Sequence, residues 1–445
     1  MTRETVPASD WTTYHHDALR TGDGVLSGHF TRLAASWTWH LPAADAAGVI
    51  FGSPLVDGRL AIVTTESDHV YAVSTETGKT TWTTTLGASY IQPSGVCGDI
   101  APTIGVTSTP VIDEARNELF VSGVIGSGPA RHHPTHYLFG ISVTTGKVVF
   151  KRAIDPPGQD VIYLLQRAAL ALDAGRVLVS FGGNYGDCGR YHGWVEAVPE
   201  SGGASIDRFE VDRSSGQSQG AVWMGGGAPT VDATGDVFVA DGNGSVTSGS
   251  AYDDSDAVLK LSPTLKLLDW FAPSSWRTDN ASDFDLGSGA PQLLSNGVLV
   301  QVGKTHVGYL LDAAHLGHTG ATVPTFPVCV NQGQADGGDA IAGSLLIIPC
   351  QGGLNAVAVT AKPATGVLRW TTTLAGGPPV YAAGVVWSIA GSPSASVLYG
   401  LSPATGARLF RYGFGGQVNH FATPAVGANL LLAASASTLV AFPPR

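Results

Sequence analysis

Charged side chains are scarce in this chain of 445 residues: 13% are Asp, Glu, Lys or Arg, against about 25% in ordinary globular domains. The 24 basic residues are outnumbered by 35 acidic ones, which gives a net charge of −11. No dense Lys/Arg stripe is present to neutralise a row of phosphates, which argues against a nucleic-acid partner. Lys-rich and Glu-rich helical segments are almost absent as well, which argues against a helical bundle.

Three other features are missing. Residues 1–10 are polar, so we expect no targeting segment within this chain. The one long apolar tract, residues 425–442, contains Asn429, Ser435 and Ser437, and therefore predicts buried strands and no membrane span. No Cys-x-x-Cys-His motif occurs, which excludes a covalently attached haem of the c type.

Glycine and apolar residues are abundant instead, with 58 glycines and 44% hydrophobic residues. Many short strands joined by tight turns fit this composition, so we expect an all-β protein.

The four cysteines all occur in or beside Gly-rich loops. Cys329 and Cys350 flank one such loop and predict a disulfide, and Cys97 and Cys188 predict a second. Disulfides favour a protein exported to the periplasm or the extracellular space, with its signal peptide absent from this chain. The alternative is four buried thiols in a cytoplasmic protein.

An internal repeat is the strongest signal in the sequence. The full pattern reads strand, turn, strand, and then a Thr-Gly turn followed four residues later by a large aromatic residue. The clearest copies are residues 60–82, 137–150, 355–370 and 398–410, and weaker ones are 193–209, 257–270 and 308–326. A four-stranded antiparallel sheet cannot bury both of its faces alone, and radial stacking of such sheets makes a β-propeller.

Seven repeat ends and one three-stranded remainder predict an eight-bladed propeller over residues 33–445. We expect an N-terminal strand at residues 37–41 to complete the last blade, and residues 1–32 to form a separate N-terminal segment. The alternative is seven blades, with one weak copy as an insertion.

The Thr-Gly-x-x-x-Trp signature resembles the repeat of the quinoprotein propellers, the dehydrogenases that use pyrroloquinoline quinone (PQQ). The resemblance covers residues 37–442, and residues 11–22 look like the start of polyvinyl-alcohol-dehydrogenase-like members. It implies a ligand site on the propeller axis that holds PQQ and Ca²⁺.

Two segments of blade 4 resemble the family's cofactor-binding segments. Trp223 follows Ala221 and Val222, and the resemblance implies that its ring stacks under the quinone. Asn243 lies in the segment Gly-Asn-Gly-Ser and is implied as a metal ligand, because its amide oxygen suits Ca²⁺. The alternatives are blade packing for Trp223 and a turn position for Asn243.

Blade 5 carries the implied catalytic carboxylates. Asp283 and Asp285 resemble the family's Asp-x-Asp segment, in which one carboxylate binds the metal and the other removes the hydroxyl proton. Asp283 is assigned as this base or as a ligand. Lys304 resembles the lysine that donates to the quinone oxygens. The alternatives are an acidic surface loop and a solvated lysine.

Arg167 begins the inner strand of blade 3, where its guanidinium suits the carboxylates of PQQ or, alternatively, an ion pair within the propeller. The chain departs from the family at two places. The family's adjacent Cys-Cys pair is absent, and residues 182–189 replace the segment with the metal-binding Glu. Asn184 or Asp187 is the candidate substitute ligand.

Two function classes follow, with a third behind them. The first is a PQQ-type dehydrogenase that oxidises an alcohol or sugar hydroxyl, in a small molecule or a polymer, and passes electrons to a separate acceptor. The second is a cofactor-free propeller that binds a ligand or a protein. The third is a non-redox enzyme that uses His and Asp side chains, with His15, His16 and His420 as candidates.

Overall fold

A computed structural model describes residues 10–445 except 185–187, 204, 214–216, 250, 253, 375, 393 and 394. The described residues form eight sheets that each contain at least four strands, and the four strands of each blade are antiparallel. Stacked around one axis, these sheets make the eight-bladed β-propeller that the repeat predicts, and the seven-bladed alternative is wrong. In each blade the first strand is the innermost one and lines the central channel.

The blades follow one another along the chain. Blades 1 to 4 contain the following strands, from the inner to the outer: Leu55–Asp57, Leu60–Thr64, His69–Ser74 and Thr80–Thr85; Val111–Asp113, Glu118–Ser127, His133–Ser142 and Val148–Ala153; Ala171–Asp173, Arg176–Gly183, Trp194–Pro199 and Asp207–Glu210; and Thr230–Val231, Val237–Ala240, Val258–Leu261 and Leu267–Ala272.

Blades 5 to 8 have the same order. Their strands are Gln292–Leu293, Val298–Val302, Val307–Asp312 and Thr325–Pro327; Ala340–Ala342, Leu345–Cys350, Gly353–Ala361 and Ala364–Thr372; Val380–Ala382, Val385–Ser392, Ala395–Leu401 and Arg408–Gly415; and Ala425–Gly427, Leu430–Ala434, Thr438–Phe442 and Trp37–His40.

Short elements connect or extend the blades. The additional strands are Asp23–Gly24, Tyr90–Ile91, Thr103–Ile104, Leu164–Leu165 and His318–Thr319. The helices are the α-helix Trp276–Ser282 and the 3₁₀ turns Ala43–Asp45, Val161–Tyr163, Met224–Gly226 and Leu286–Ser288. None of the helices in the described residues has the length and apolar character needed to cross a membrane.

Closure of the ring follows the prediction. Trp37–His40 is the outer strand of blade 8 and pairs antiparallel with Thr438–Phe442, with Trp37 opposite Ala441 and His40 opposite Thr438. The N-terminal and C-terminal strands therefore share one sheet. This strand also bonds blade 8 to blade 1, since Trp39 Nε1 donates to Thr80 Oγ1 at 2.9 Å.

The repeat signature has a physical basis in contacts between neighbouring blades. The closing tryptophan of one blade packs on the turn glycine of the next, and its Nε1 donates to the carbonyl oxygen three residues before that glycine. Trp82 bonds Val143 O at 2.8 Å beside Gly146, and Trp370 bonds Pro403 O at 2.7 Å beside Gly406. Trp37 bonds Thr75 O at 2.8 Å in the same way.

Two features of this contact require glycine at position 146. Its φ is +70°, and an added Cβ would lie 2.7 Å from the Trp82 ring. We expect Gly146→Ala to lower the free energy of unfolding by about 2 to 5 kcal/mol, the sum of a positive-φ penalty and an overpacking penalty. Urea denaturation measures this change.

Gly175→Ala is the matched control, because Gly175 has φ +77° and nothing lies within 4 Å of an added Cβ. This variant carries the backbone penalty alone, about 1 to 2 kcal/mol. Equal losses in the two variants would mean that docking of Trp82 on the glycine contributes nothing to stability.

The N-terminal segment enters the central channel. Backbone hydrogen bonds join residues 11–22 to inner strands of five blades, through the partners Val56, Ile112, Val231, Ile341 and Tyr381. Tyr14 and His15 are buried, with exposed fractions of 1% and 0%. His15 Nδ1 donates to Asp339 O at 2.8 Å, and burial lowers the pKa of His15 to about 3, so its ring is neutral at pH 7.

Both predicted disulfides are present. Cys329–Cys350 closes the loop between blades 5 and 6, and Cys97–Cys188 joins a loop after blade 1 to a loop of blade 3. No cysteine is left unpaired in the described part of the chain.

Candidate functional site

A cavity of about 540 Å³ lies at one end of the central channel. Residues that stand four positions before an inner strand line it in several blades, as Arg167 does before Ala171–Asp173 and Phe421 before Ala425–Gly427. The cavity is therefore at the end where the inner strands begin.

All seven site residues predicted from the sequence line this cavity. They come from three consecutive blades, where each lies in a loop just before an inner strand or just after a second strand: Arg167, Asn184, Trp223, Asn243, Asp283, Asp285 and Lys304. The structure brings these positions together because the same two loops of every blade face the same end of the axis. Their chemical roles remain predictions.

A network of polar contacts joins blades 4 and 5 at one wall. The Asn243 backbone N–H donates to Asp285 Oδ1 at 2.8 Å, and Asn243 Nδ2 donates to Asp283 Oδ1 at 2.8 Å. The Gly242 backbone permits this approach, because an added Cβ would lie 2.2 Å from Asp285 Oδ1. Among the described residues, Asn243 Oδ1 is buried and has no hydrogen-bond partner.

Lys304 stands between the two carboxylates. Its Nζ lies 3.1 Å from Asp283 Oδ1 and 2.5 Å from Asp285 Oδ2. Burial lowers the pKa of Lys304, but Asp285 and then Asp283 raise it by more, so the net shift is upward. Lys304 is therefore a permanent cation here. The Asp283 side chain is 74% exposed, whereas that of Asp285 is 9% exposed.

Trp223 provides an aromatic wall beside this network. Lys304 Nζ lies 5.6 Å from the centre of its ring. On another side its ring centre lies 5.9 Å from that of Phe421, and the two planes are tilted by 53°. Both rings line the cavity, so a flat ligand has an aromatic surface to stack on.

Arg167 is a second buried cation in the cavity. Its Nη2 donates to His420 O at 3.0 Å, and its guanidinium carbon lies 5.3 Å from the centre of the Phe421 ring. Burial lowers the pKa of Arg167 to about 10, with an opposing contribution from Glu66, so the group is protonated at neutral pH. An anionic ligand would find a charge-assisted donor here.

The replaced metal segment is partly described. Asn184 Nδ2 donates to Ile162 O at 2.9 Å, and Asn184 lines the cavity. Asp187, the alternative ligand, lies outside the described residues. The Cys97–Cys188 disulfide joins the loops that carry Asp99 and Asn184, both of which line the cavity, although no adjacent cysteine pair exists.

Among the polar cavity residues not predicted from the sequence, three lie close together: Gln334, Asp336 and Gln351. They come from blade 6, which the resemblance did not implicate. One signal could have found Asp336, since it stands four residues before the inner strand Ala340–Ala342, as Arg167 does in blade 3.

The three candidate histidines have separate surroundings. His15 is buried in the channel, His16 stacks on Trp11 with ring centres 5.0 Å apart, and His420 lies 3.9 Å from Asp99. Within the described residues, no histidine belongs to a group of three potential metal ligands.

Comparison with known families agrees with this architecture. The family model described as outer membrane protein assembly factor BamB, a model of PQQ-like repeats, matches residues 34–256. This match spans half of the chain, and the chain belongs to the PQQ-like β-propeller repeat family. No curated protein sequence matches it significantly.

Solved structures share the fold at low sequence identity. Quinohemoprotein alcohol dehydrogenase from Comamonas testosteroni is 16% identical with a TM-score of 0.68, over 98% of this chain and 80% of that one. Quinohemoprotein alcohol dehydrogenase ADHIIG from Pseudomonas putida HK5 is 12% identical with a TM-score of 0.69, over 98% and 80%. BamB from Moraxella catarrhalis is 13% identical with a TM-score of 0.55, over 92% and 97%.

Proposed function

We propose that this protein is a PQQ-type dehydrogenase that oxidises an alcohol or sugar hydroxyl in the axial cavity. The observation that carries the proposal is the convergence of a stacking ring, two cations and a set of hard oxygen donors on one cavity of about 540 Å³. Chance matches in a Gly-rich chain would be scattered over the surface, whereas a binding site requires convergence.

The residues present fit a quinone and a divalent cation. Asn243 Oδ1, buried and without a partner in the described residues, is a hard neutral donor of the kind Ca²⁺ binds. Asp283 and Asp285 would add carboxylate oxygens from the same wall, and Asn184 lies in the segment that replaces the family's Glu.

The remaining cavity residues fit the organic part of the cofactor. Trp223 would stack against the ring system. Arg167 and Lys304 would pair with its carboxylates and its quinone oxygens. When bound, a quinone supplies the acceptor for the hydride of the alcohol carbon.

Electrons would leave to a separate acceptor, because the sequence has no motif for attached haem. The two disulfides support export to an oxidising compartment, where such bonds persist.

Titration of the purified protein with PQQ in the presence of Ca²⁺ tests the proposal. We expect saturable quenching of tryptophan fluorescence and a shifted quinone absorbance, followed by dye reduction with alcohols or sugars. Absence of saturable PQQ binding would refute the proposed function.

Trp223→Ala should weaken PQQ binding by roughly 10-fold to 100-fold, because loss of one buried stacking surface costs about 1.5–3 kcal/mol. Absorbance titration with Ca²⁺ present measures the affinity. Trp270→Ala is the control, since Trp270 lies on the outer strand of blade 4 and stacks on His318 with ring centres 4.1 Å apart. Equal loss of affinity in both variants would argue against stacking on Trp223.

A second candidate function is a protein-binding propeller without a cofactor. It is favoured by the family model's description and by the BamB structure, 97% of which is covered by this chain. Under this alternative PQQ does not bind, and substitutions in the cavity alter association with a partner protein only.

A further inference from the structure

The carboxylates in the cavity differ in how far their oxygens are already used. Four of them line it: Asp99, Asp283, Asp285 and Asp336. Asp285 is occupied at both oxygens, by the Asn243 N–H and by Lys304. Asp283 is largely exposed and contacts the same lysine, and Asp99 faces His420 at 3.9 Å.

Asp336 differs from the other three because, among the described residues, it alone of the four has a buried oxygen without a hydrogen-bond partner. Asp336 Oδ2 accepts a hydrogen bond from Gln351 Nε2 at 2.9 Å. Asp336 Oδ1 is buried and has no hydrogen-bond partner among the described residues. A buried acceptor at the wall of a ligand cavity is suited to a hydroxyl donor supplied by the ligand.

The fold holds Asp336 and Gln351 next to each other. The Gln351 N–H donates to Gln334 O at 3.0 Å, and Ala335 forms an isolated antiparallel bridge with Cys350. The Cys329–Cys350 disulfide fixes the start of the same loop. Asp336 therefore projects from a segment fixed by backbone pairing and by a covalent link, which suits a group that must keep its geometry.

We propose that Asp336 is the general base of the reaction and that Gln351 positions it; this inference rests on the proposed dehydrogenase function. The O–H bond of the substrate breaks and its proton moves to Asp336 Oδ1. The C–H bond would break as well, and its electron pair would leave with the hydrogen as hydride, for which a bound quinone would supply the acceptor. A C=O bond would form, and the hydride would carry away the two electrons that the alcohol loses.

The surroundings of Asp336 agree with this role. Burial raises the pKa of Asp336, the Gln351 hydrogen bond and Lys304 lower it, Asp285 raises it and His420 lowers it, with a net upward shift. A carboxylate with a raised pKa is a stronger base than an exposed one and is ionised in the upper part of the pH range. In contrast, Asp283 and Asp285 share the Lys304 ammonium.

Kinetics of four variants test the assignment. Asp336→Asn should lower kcat by about 100-fold or more, the usual contribution of a general base, and should abolish the acidic limb of the pH profile. Gln351→Ala should cause a smaller loss and move that limb. Asp283→Asn and Asp99→Asn, which remove a carboxylate from the same cavity, should keep the limb.

Binding of PQQ with Ca²⁺, measured by absorbance, separates the proposed dehydrogenase function from the assignment of Asp336 as the base. If the wild-type protein binds no PQQ, the proposed function and this assignment both fail. If PQQ binds and Asp336→Asn keeps the acidic limb, the assignment alone is wrong. Loss of the limb in Asp283→Asn would transfer the role to Asp283, the residue assigned from the sequence.

A measurement without cofactor examines Asp336 itself. Because its folded-state pKa is raised, the folded protein holds this proton more tightly than the unfolded chain, and stability decreases as pH rises from the ordinary Asp range through the raised value. Asp336→Asn cannot ionise, so its melting temperature relative to wild type should be higher at pH 8 than at pH 4, which is close to the ordinary pKa of Asp. A difference independent of pH would contradict a buried, proton-accepting Asp336.

Discussion

Deletion of residues 1–41 is expected to abolish the folded propeller. It removes the outer strand of blade 8 and the segment that fills the channel. Trp37 and Trp39 are 9% and 5% exposed, and truncation of one buried tryptophan costs about 3–5 kcal/mol. Two such losses equal about 6–10 kcal/mol, which approaches the whole stability of a typical protein, about 5–15 kcal/mol. Circular dichroism and gel filtration of the shortened chain measure the result.

A finer pair of variants separates closure from the channel segment. The closing strand alternates buried and exposed residues, with Trp37 and Trp39 on the inner face and Thr38 and His40 on the outer face. The double variant Trp37→Ala, Trp39→Ala should melt far below wild type, whereas Thr38→Ala, His40→Ala in the same strand should melt near it. Similar melting of both double variants would show that the ring does not depend on this strand.

The blade number and the closure could be predicted because their physics is local and repeated. A Thr-Gly turn fixes a positive φ at Gly78 and Gly146, and a large ring four residues later docks on the next blade. Each copy of the signature therefore carries both its own turn and half of the contact with its neighbour. Seven repeat ends account for seven blades. The three strands that remain at the C-terminus, completed by the aromatic strand near the N-terminus, account for the eighth.

The path of the N-terminal segment could not be predicted in the same way. Residues 11–22 are rich in polar side chains, and their sequence predicts a segment separate from the propeller. Their partners are backbone carbonyls distant in sequence: Arg20 Nε donates to Pro229 O at 2.9 Å, and His15 pairs with Asp339 O. Every residue has a backbone carbonyl, so hydrogen bonds to carbonyl oxygens require no particular residue types. The sequence of residues 11–22 therefore does not indicate that the segment is buried.

The sequence predicted the cavity residues of blades 3 to 5 and did not predict those of blade 6. Resemblance led to Trp223, Asn243 and Lys304 because these belong to motifs of the family. Asp336 lies in a Gly/Asp-rich loop that reads as a turn, and its neighbour Gln351 is joined to it through pairing across a loop closed by a disulfide. Only the equivalence of positions before each inner strand, a property of the repeat as a whole, could have pointed to Asp336.

Lys304→Met is expected to increase the affinity of the cofactor-free protein for Ca²⁺. In the structure the Lys304 ammonium holds Asp283 Oδ1 at 3.1 Å and Asp285 Oδ2 at 2.5 Å, the two carboxylates proposed to bind the ion. A single positive charge about 4 Å from a divalent ion opposes binding by about 8 kcal/mol near a protein surface. Screening and movement of the lysine reduce this value, so we expect roughly a 10-fold to 100-fold decrease in Kd.

Isothermal titration with CaCl₂ measures this effect, and Lys260→Met is the matched control. Lys260 pairs with Asp236 at 3.1 Å in blade 4, and neither residue lines the cavity. An unchanged or weaker affinity for Ca²⁺ in Lys304→Met would mean that these carboxylates pair with the lysine alone and do not form a cation site.

The same variant should bind PQQ more weakly than wild type when Ca²⁺ is saturating, because it lacks a cation for the quinone oxygens. Opposite changes in the two affinities are the result that a site for both a metal ion and an anionic quinone requires.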